Sequence, residues 1–92
     1  MRLDVRGEIC PYPMMRTVEA LGRLAPGEVL EVLTDHPPAL ATIPWEAARR
    51  GFAVEVESVG PGQWRLTLRP AGGSVDPARA VQEVLRKAGG VG

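Results

Sequence analysis

The residue best equipped for covalent chemistry is the single cysteine, Cys10, in the stretch Gly7-Glu8-Ile9-Cys10-Pro11-Tyr12-Pro13. The thiolate is the nucleophilic form of cysteine, and the thiol pKa decides how much of it exists near neutral pH. Pro11 pushes Cys10 away from helical backbone angles toward extended ones, the conformation of a residue that caps a helix. Pro11 itself suits the first helical position, and Pro13 falls in the first turn, whose N–H groups lack intrahelical partners. The spacing therefore predicts a cysteine at the mouth of a helix, where the dipole and the free N–H groups favour negative charge. A free cysteine can also be a small buried hydrophobe without reactivity; the flanking prolines favour the reactive reading.

Other candidate groups lie at a distance in sequence. If the loops after the first two strands leave a parallel sheet at the same edge, where reactive sites tend to lie, Asp35 and His36 become neighbours of Cys10. A cationic His36 would help to hold a thiolate, although an exposed loop histidine is the plainer reading. Arg6 and Arg16 are the other cations within reach, with a solvated role as the default for each. Asp4 is expected to order the strand and loop rather than act as a base. One cysteine and one histidine fall short of a structural zinc set, so no metal or cofactor is expected.

Composition narrows the class. Ninety-two residues with 45% hydrophobic content suit one domain with a modest core. Eleven basic residues balance eleven acidic ones, and no charge block argues for nucleic acid or a membrane surface. One cysteine makes no internal disulfide and no dithiol pair, which disfavours a stapled secreted domain. The first residues, Met1-Arg2-Leu3-Asp4, lack the apolar run of a signal peptide, and no run reaches membrane-spanning length. A cytoplasmic location is the default expectation.

The elements that must position the cysteine follow from periodicity. Leu3 and Val5 alternate with Asp4 and Arg6, a short strand ended by Gly7. A helix is expected over about 11–24, with Met14, Val18 and Leu21 on its apolar face and the methionines as gap fillers. Pro26-Gly27 makes a turn. A second strand covers 28–34, with Glu31 on its polar side. A second helix, with Leu40, Ile43, Ala47 and Ala48 as its apolar residues, starts near Thr42 or Ile43, because Pro44 interrupts the pattern before it. Trp45 reads as packing, and Gly51 as the glycine after the helix. Phe52, Val54 and Val56 alternate with glutamates in a third strand. Gly60-Pro61-Gly62 turns into a fourth, where Trp64, Leu66 and Leu68 alternate with Arg65, Thr67 and Arg69. Outward glutamates of one strand can meet outward arginines of the next. Two helices over one face of a four-stranded sheet is the economical arrangement, a two-layer α/β sandwich of the α+β type, with a right-handed parallel crossover at its start.

The tail carries its own helix punctuation, with Asp76 as cap, Pro77 at the first position and Gly89-Gly90 as the stop. Val81, Val84, Leu85 and Ala88 form one stripe. This stripe should seek the sheet edge, the helix layer or a second chain, the last giving a homodimer. The expected organisation is a domain over 1–70, followed by a linker and C-terminal helix over 71–92.

The pattern Leu3-Asp4-x-Arg6-Gly7-x-x-Cys10-Pro11-x-Pro13 resembles the signature of the TusA (SirA-like) sulfur-carrier family. Gly27-Glu28-x-Leu30-Glu31-Val32 with Thr34-Asp35, and Ile43-Pro44-x-x-Ala47 before Gly51, look like that family's second strand and second helix. The resemblance implies a βαβαββ two-layer sandwich with a mixed sheet, to which the tail adds a further helix. It implies a sulfurtransferase-type relay in which the cysteine matching Cys10 accepts sulfane sulfur as a persulfide. The donor would be a cysteine desulfurase or rhodanese-like protein, and the acceptor a DsrE-like protein or a thiolation enzyme. End uses in the family include tRNA thiolation, sulfur oxidation, molybdenum-cofactor synthesis and selenium handling. Glu8 departs from the pattern, standing where the family usually has an apolar residue; a carboxylate aimed at Cys10 would oppose the thiolate. Gly51-Phe52 lacks the histidine frequent after that glycine, and His36-Pro37-Pro38 is an unusual continuation. The competing readings are a non-catalytic interaction or regulatory module and a single-cysteine redox sensor.

Overall fold

The computed structural model describes residues 1–9 and 11–89. Cys10 and residues 90–92 lie outside the described residues, and with them the Gly90 part of the helix stop.

The chain folds as β1 (Arg2–Asp4), α1 (Tyr12–Leu21), β2 (Leu30–Thr34), α2 (Ala39–Arg49), β3 (Phe52–Gly60), β4 (Gln63–Pro70) and α3 (Pro77–Gly89). The sheet order is β1-β2-β4-β3. β1 runs parallel to β2, with Leu3 opposite Val32, while β4 is antiparallel to both β2 and β3. The expected mixed four-stranded α+β sandwich is the fold observed. The β3–β4 hairpin turns at Pro61-Gly62, pairs Gly60 with Gln63, and carries a register shift between Ser58 and Gly60.

Period-two burial divides the sheet into two faces. Val5, Leu30, Val32, Leu66 and Leu68 point into the core with no exposed surface. The opposite face is ionic, and its pairs are cross-strand. Arg2 pairs with Glu31 at 3.2 Å, Arg69 with Glu55 at 3.2 Å, and Arg65 with Glu57. Such exposed pairs set register more than they add stability.

The helices cover the apolar face, with corrections to the expected detail. The buried side of α1 is Pro13, Thr17, Ala20 and Leu21; of the expected face Leu21 is buried, while Met14 and Val18 are half-buried. Small residues let the helix lie close, and Thr17 satisfies its hydroxyl by donating to the Pro13 carbonyl at 2.8 Å. Met14 packs at the edge of the core, but Met15 is exposed and fills no gap. α2 begins at Ala39, ahead of the expected start, and keeps Pro44 inside it. Proline in a helix interior forfeits one backbone bond; here Ala39, Leu40, Ile43, Pro44, Ala47 and Ala48 are all buried, and packing outweighs that loss. Trp45 is partly exposed. Gly51 follows the α2 cap at φ 84°, left-handed backbone that glycine adopts at no steric cost.

α3 joins the helix layer, packing on α2 and against β3. Asp76 caps it, accepting from the Ala78 N–H at 3.0 Å. Val84 is buried in the same core as Ile43 and Leu66, with Ala88 against it. Leu85, expected in the buried stripe, is 44% exposed. The stripe centres one residue earlier, since docking onto α2 turns Val84 inward.

Candidate functional site

Parallel pairing of β1 and β2 sends the loops after both strands out at one end of the sheet. Val5 extends that pairing, donating its N–H to the Leu33 carbonyl at 2.9 Å, and its side chain is fully buried. The chain then turns at Arg6-Gly7, where Gly7 takes φ 84°, a conformation costly for residues with a Cβ. Asp35, in the loop after β2, accepts the Gly7 N–H on its carboxylate at 2.9 Å. One side chain thus ties together the two loops expected to be neighbours.

Asp4 and Arg6 form a closed unit at the base of this edge. The Arg6 guanidinium donates to both carboxylate oxygens of Asp4, at 2.9 and 2.6 Å, and the Arg6 backbone N–H adds a third bond at 3.0 Å. The arginine hydrogen bonds hold the Asp4 carboxyl down from its ordinary 3.8 to about 2, and the Arg6 pKa rises in return. These bonds tie the Asp4 carboxylate to the turn that follows β1. Arg6 also reaches the hairpin tip, donating to Gln63 Oε1 at 3.4 Å. Gln63 had no sequence signal; only the sheet order brings the β3–β4 turn to this edge.

The loop that carries the cysteine is fixed on both sides. Before it, Glu8 donates its N–H to the Val5 carbonyl at 3.1 Å, and its carboxylate pairs with Arg16 on α1. After it, Tyr12 donates to the Ile9 carbonyl at 3.0 Å and Met15 to the Pro11 carbonyl at 3.0 Å. The α1 cap is Pro11, at φ −95° and ψ 11°, without a side-chain cap bond, and Pro13 sits in the first turn. The expected frame, Cys10 as cap and Pro11 at the first helical position, is therefore shifted by one residue. Pro11 tolerates the bridging angles, and Tyr12 becomes the first helical residue. Pro13 is fully buried and Pro11 exposed. The position of Cys10 itself, and so the expectation of a thiol at the helix mouth, lies outside the described residues.

Arg16 pairs with Glu8 while its side chain stays about half exposed, at 51%. His36 is half-buried, and its backbone N–H donates to Thr34 Oγ1 at 3.1 Å. Ile9, Tyr12 and Met15 lie near the cysteine in sequence and leave more than half of their surface exposed. Hollows among the described residues lie elsewhere. One of about 630 Å³ covers the ionic sheet face. Another, of about 290 Å³, is apolar, between Met14, Ala41, Trp45 and Val81. Among the described residues, no helix is long and apolar enough to cross a membrane.

Comparison with known proteins places this architecture. The family described as Sulfurtransferase TusA matches residues 1–69. A candidate sulfur carrier protein of Thermotoga maritima is 44% identical over 68 residues, covering 73% of this chain and 86% of its own. The candidate sulfur carrier protein YedF of Escherichia coli K12 is 44% identical over 61 residues, covering 65% of this chain and 79% of its own. The crystal structure of a SirA-like protein from Desulfitobacterium hafniense superposes with a TM-score of 0.69 at 28% identity, over 75% of this chain and 96% of that one. The match runs from β1 to Arg69 in β4 and encloses the Cys10 loop and the residues tied to it; the chain belongs to the TusA family.

Proposed function

We propose that this protein is a sulfur carrier that takes up sulfane sulfur as a persulfide on Cys10 and passes it to a partner protein. In the loading step the Cys10 thiolate attacks the outer sulfur of a persulfide on the donor, a cysteine desulfurase or rhodanese-like protein. The donor's S–S bond breaks, its cysteine leaves as a thiolate, and a new S–S bond forms on Cys10. In the unloading step a thiolate of the acceptor, a DsrE-like protein or thiolation enzyme, attacks that outer sulfur and Cys10 leaves as a thiolate. Each step is thiol–disulfide-type exchange with no net oxidation, governed by thiolate fraction and access.

The observation that supports this reading best is the loop itself. The chain's one cysteine follows a turn tied down by Asp35 and Glu8, beside exposed apolar residues in the sequence, within the stretch matched by the family. With no second thiol in the chain, a persulfide cannot discharge internally to a disulfide and must leave to a partner. Asp4, Arg6, Asp35, Pro11 and Pro13 support the loop; His36 stands beside Asp35 on it. A reducing cytoplasm suits such chemistry.

The test is intact-protein mass spectrometry after incubation with a cysteine desulfurase and cysteine. A gain of one sulfur, lost in Cys10→Ser and transferred to an added acceptor thiol, is the expected result. No adduct with desulfurase and rhodanese donors alike overturns the reading in favour of an interaction module. Selective oxygen adducts at low peroxide would instead mark a redox sensor.

A further inference from the structure

Glu8 sits two residues before the cysteine, so covalent reach alone keeps their Cα atoms within about 7 Å. An unscreened carboxylate at that range disfavours a thiolate. The structure supplies an opposite charge from another element: Arg16, in the second turn of α1, pairs with Glu8 across the loop. Neither group is deeply buried, with side-chain exposures of 51% for Arg16 and 28% for Glu8, so the pair is not needed to fill the core. Arg16 also has Glu19 three residues on along α1, but Glu19 is engaged by Arg23 at 2.8 Å.

We infer that the Glu8–Arg16 pair is a charge-balancing positioning device for Cys10, in which Arg16 cancels the carboxylate that this chain carries beside its nucleophile and clamps the loop onto α1. This rests on the reading of Cys10 as a reactive thiol, and adds two positioning residues to it. The other ionisable groups of the surrounding elements are Asp4 and Arg6, paired with each other; Asp35, bonded to the Gly7 N–H; His36 on the same loop; and Tyr12 on α1. All of them stay unchanged when only Glu8 or Arg16 is replaced, so differences between variants isolate the pair.

The distinguishing property is the sign. Removing Arg16 leaves Glu8 uncompensated and should move the midpoint of the Cys10 alkylation-rate profile up; removing Glu8 frees a guanidinium and should move it down. Two unit charges about 7 Å apart in a water-like dielectric shift each other's titration only slightly, so each shift should be about half a pH unit. The experiment measures the rate of iodoacetamide reaction against pH for the full chain, Glu8→Gln, Arg16→Gln, Arg16→Lys and the double variant, at low and high salt. The expected result is opposite shifts for Glu8→Gln and Arg16→Gln, near-parental midpoints for Arg16→Lys and the double variant, and shrinkage of both shifts by salt. Shifts of the same sign, a shift in only one of the two single variants, or none in either, overturn the inference. Alkylation needs no sulfur donor. Opposite shifts in a protein that no donor loads with sulfur would therefore refute the carrier reading and leave the charge pair standing.

Discussion

Val84→Ala and Leu85→Ala, adjacent on α3, should have very different effects. Val84 is 1% exposed and lies in the core shared by the sheet, α1 and α2, whereas Leu85 is 44% exposed. Val84→Ala withdraws two methyl groups from that core, worth about 1.6 kcal/mol at roughly 0.8 kcal/mol per carbon. The hole left behind adds to this, and the better helix propensity of alanine returns about 0.5 kcal/mol. The net loss is roughly 1.5–3 kcal/mol. For a domain of this size, with an unfolding entropy of about 2 cal/mol/K per residue, 1 kcal/mol moves the melting point by about 5 °C. Val84→Ala should therefore melt about 8–15 °C below the parent, and Leu85→Ala within about 5 °C of it. Circular dichroism melts, with urea midpoints as a second probe, make the comparison. Equal melting points for parent and Val84→Ala, or a larger loss in Leu85→Ala, would refute the packing of α3 argued from burial.

Three further outcomes bear on the loop edge. Asp4 is depressed to about 2 in the folded chain, so its pairing contributes stability above its unfolded pKa and loses it as pH falls from about 4 toward 2; Asp4→Asn should flatten that part of the stability–pH curve, and an unchanged slope contradicts the assignment. Asp35→Ala should cost about 0.5–1.5 kcal/mol through the lost bond to Gly7 and alter the Cys10 alkylation rate, while Asp35→Asn, which keeps an acceptor oxygen, should do less of both; equal effects would mean the hydrogen bond is not the cause. Pro13→Ala should destabilise by about 1–3 kcal/mol, because a fully buried ring is lost, whereas Pro11→Ala, at an exposed position, should cost under about 1 kcal/mol; the reverse order in urea titrations would undo the assignment of Pro13 to the core.

The legible parts of the chain were those governed by local period and punctuation. Alternation from Phe52 to Leu68 around Gly60-Pro61-Gly62 marked the hairpin, and Asp76-Pro77 marked the start of α3. Asp35 could be placed near the Cys10 loop because parallel strands send their following loops to one edge. What stayed hidden depends on how elements meet. α1 buries Thr17 because its hydroxyl finds a carbonyl four residues back, which an apolar count does not register. α2 runs through Pro44 because tertiary burial outweighs one missing backbone bond. The Glu8–Arg16 and Arg6–Gln63 contacts join groups 8 and 57 residues apart, and no periodicity encodes them. A cap read one residue early is the usual scale of error at a helix end.

The Cys10 loop hangs from the shortest and outermost strand. β1 has three residues and one neighbour, whereas β2 and β4 are each paired on both sides. Local opening of a protein proceeds where few contacts must be broken. β1 and its loop are held by the Val5 side chain and the bond from Val5 to Leu33, and by side-chain ties to Asp35, Gln63 and Arg16. The rest of the sheet need not move with them. On the proposed carrier role, the segment that must fit first one protein and then another thus lies on an edge strand, where it can adjust while the core formed by β2, β4 and the helices keeps its shape.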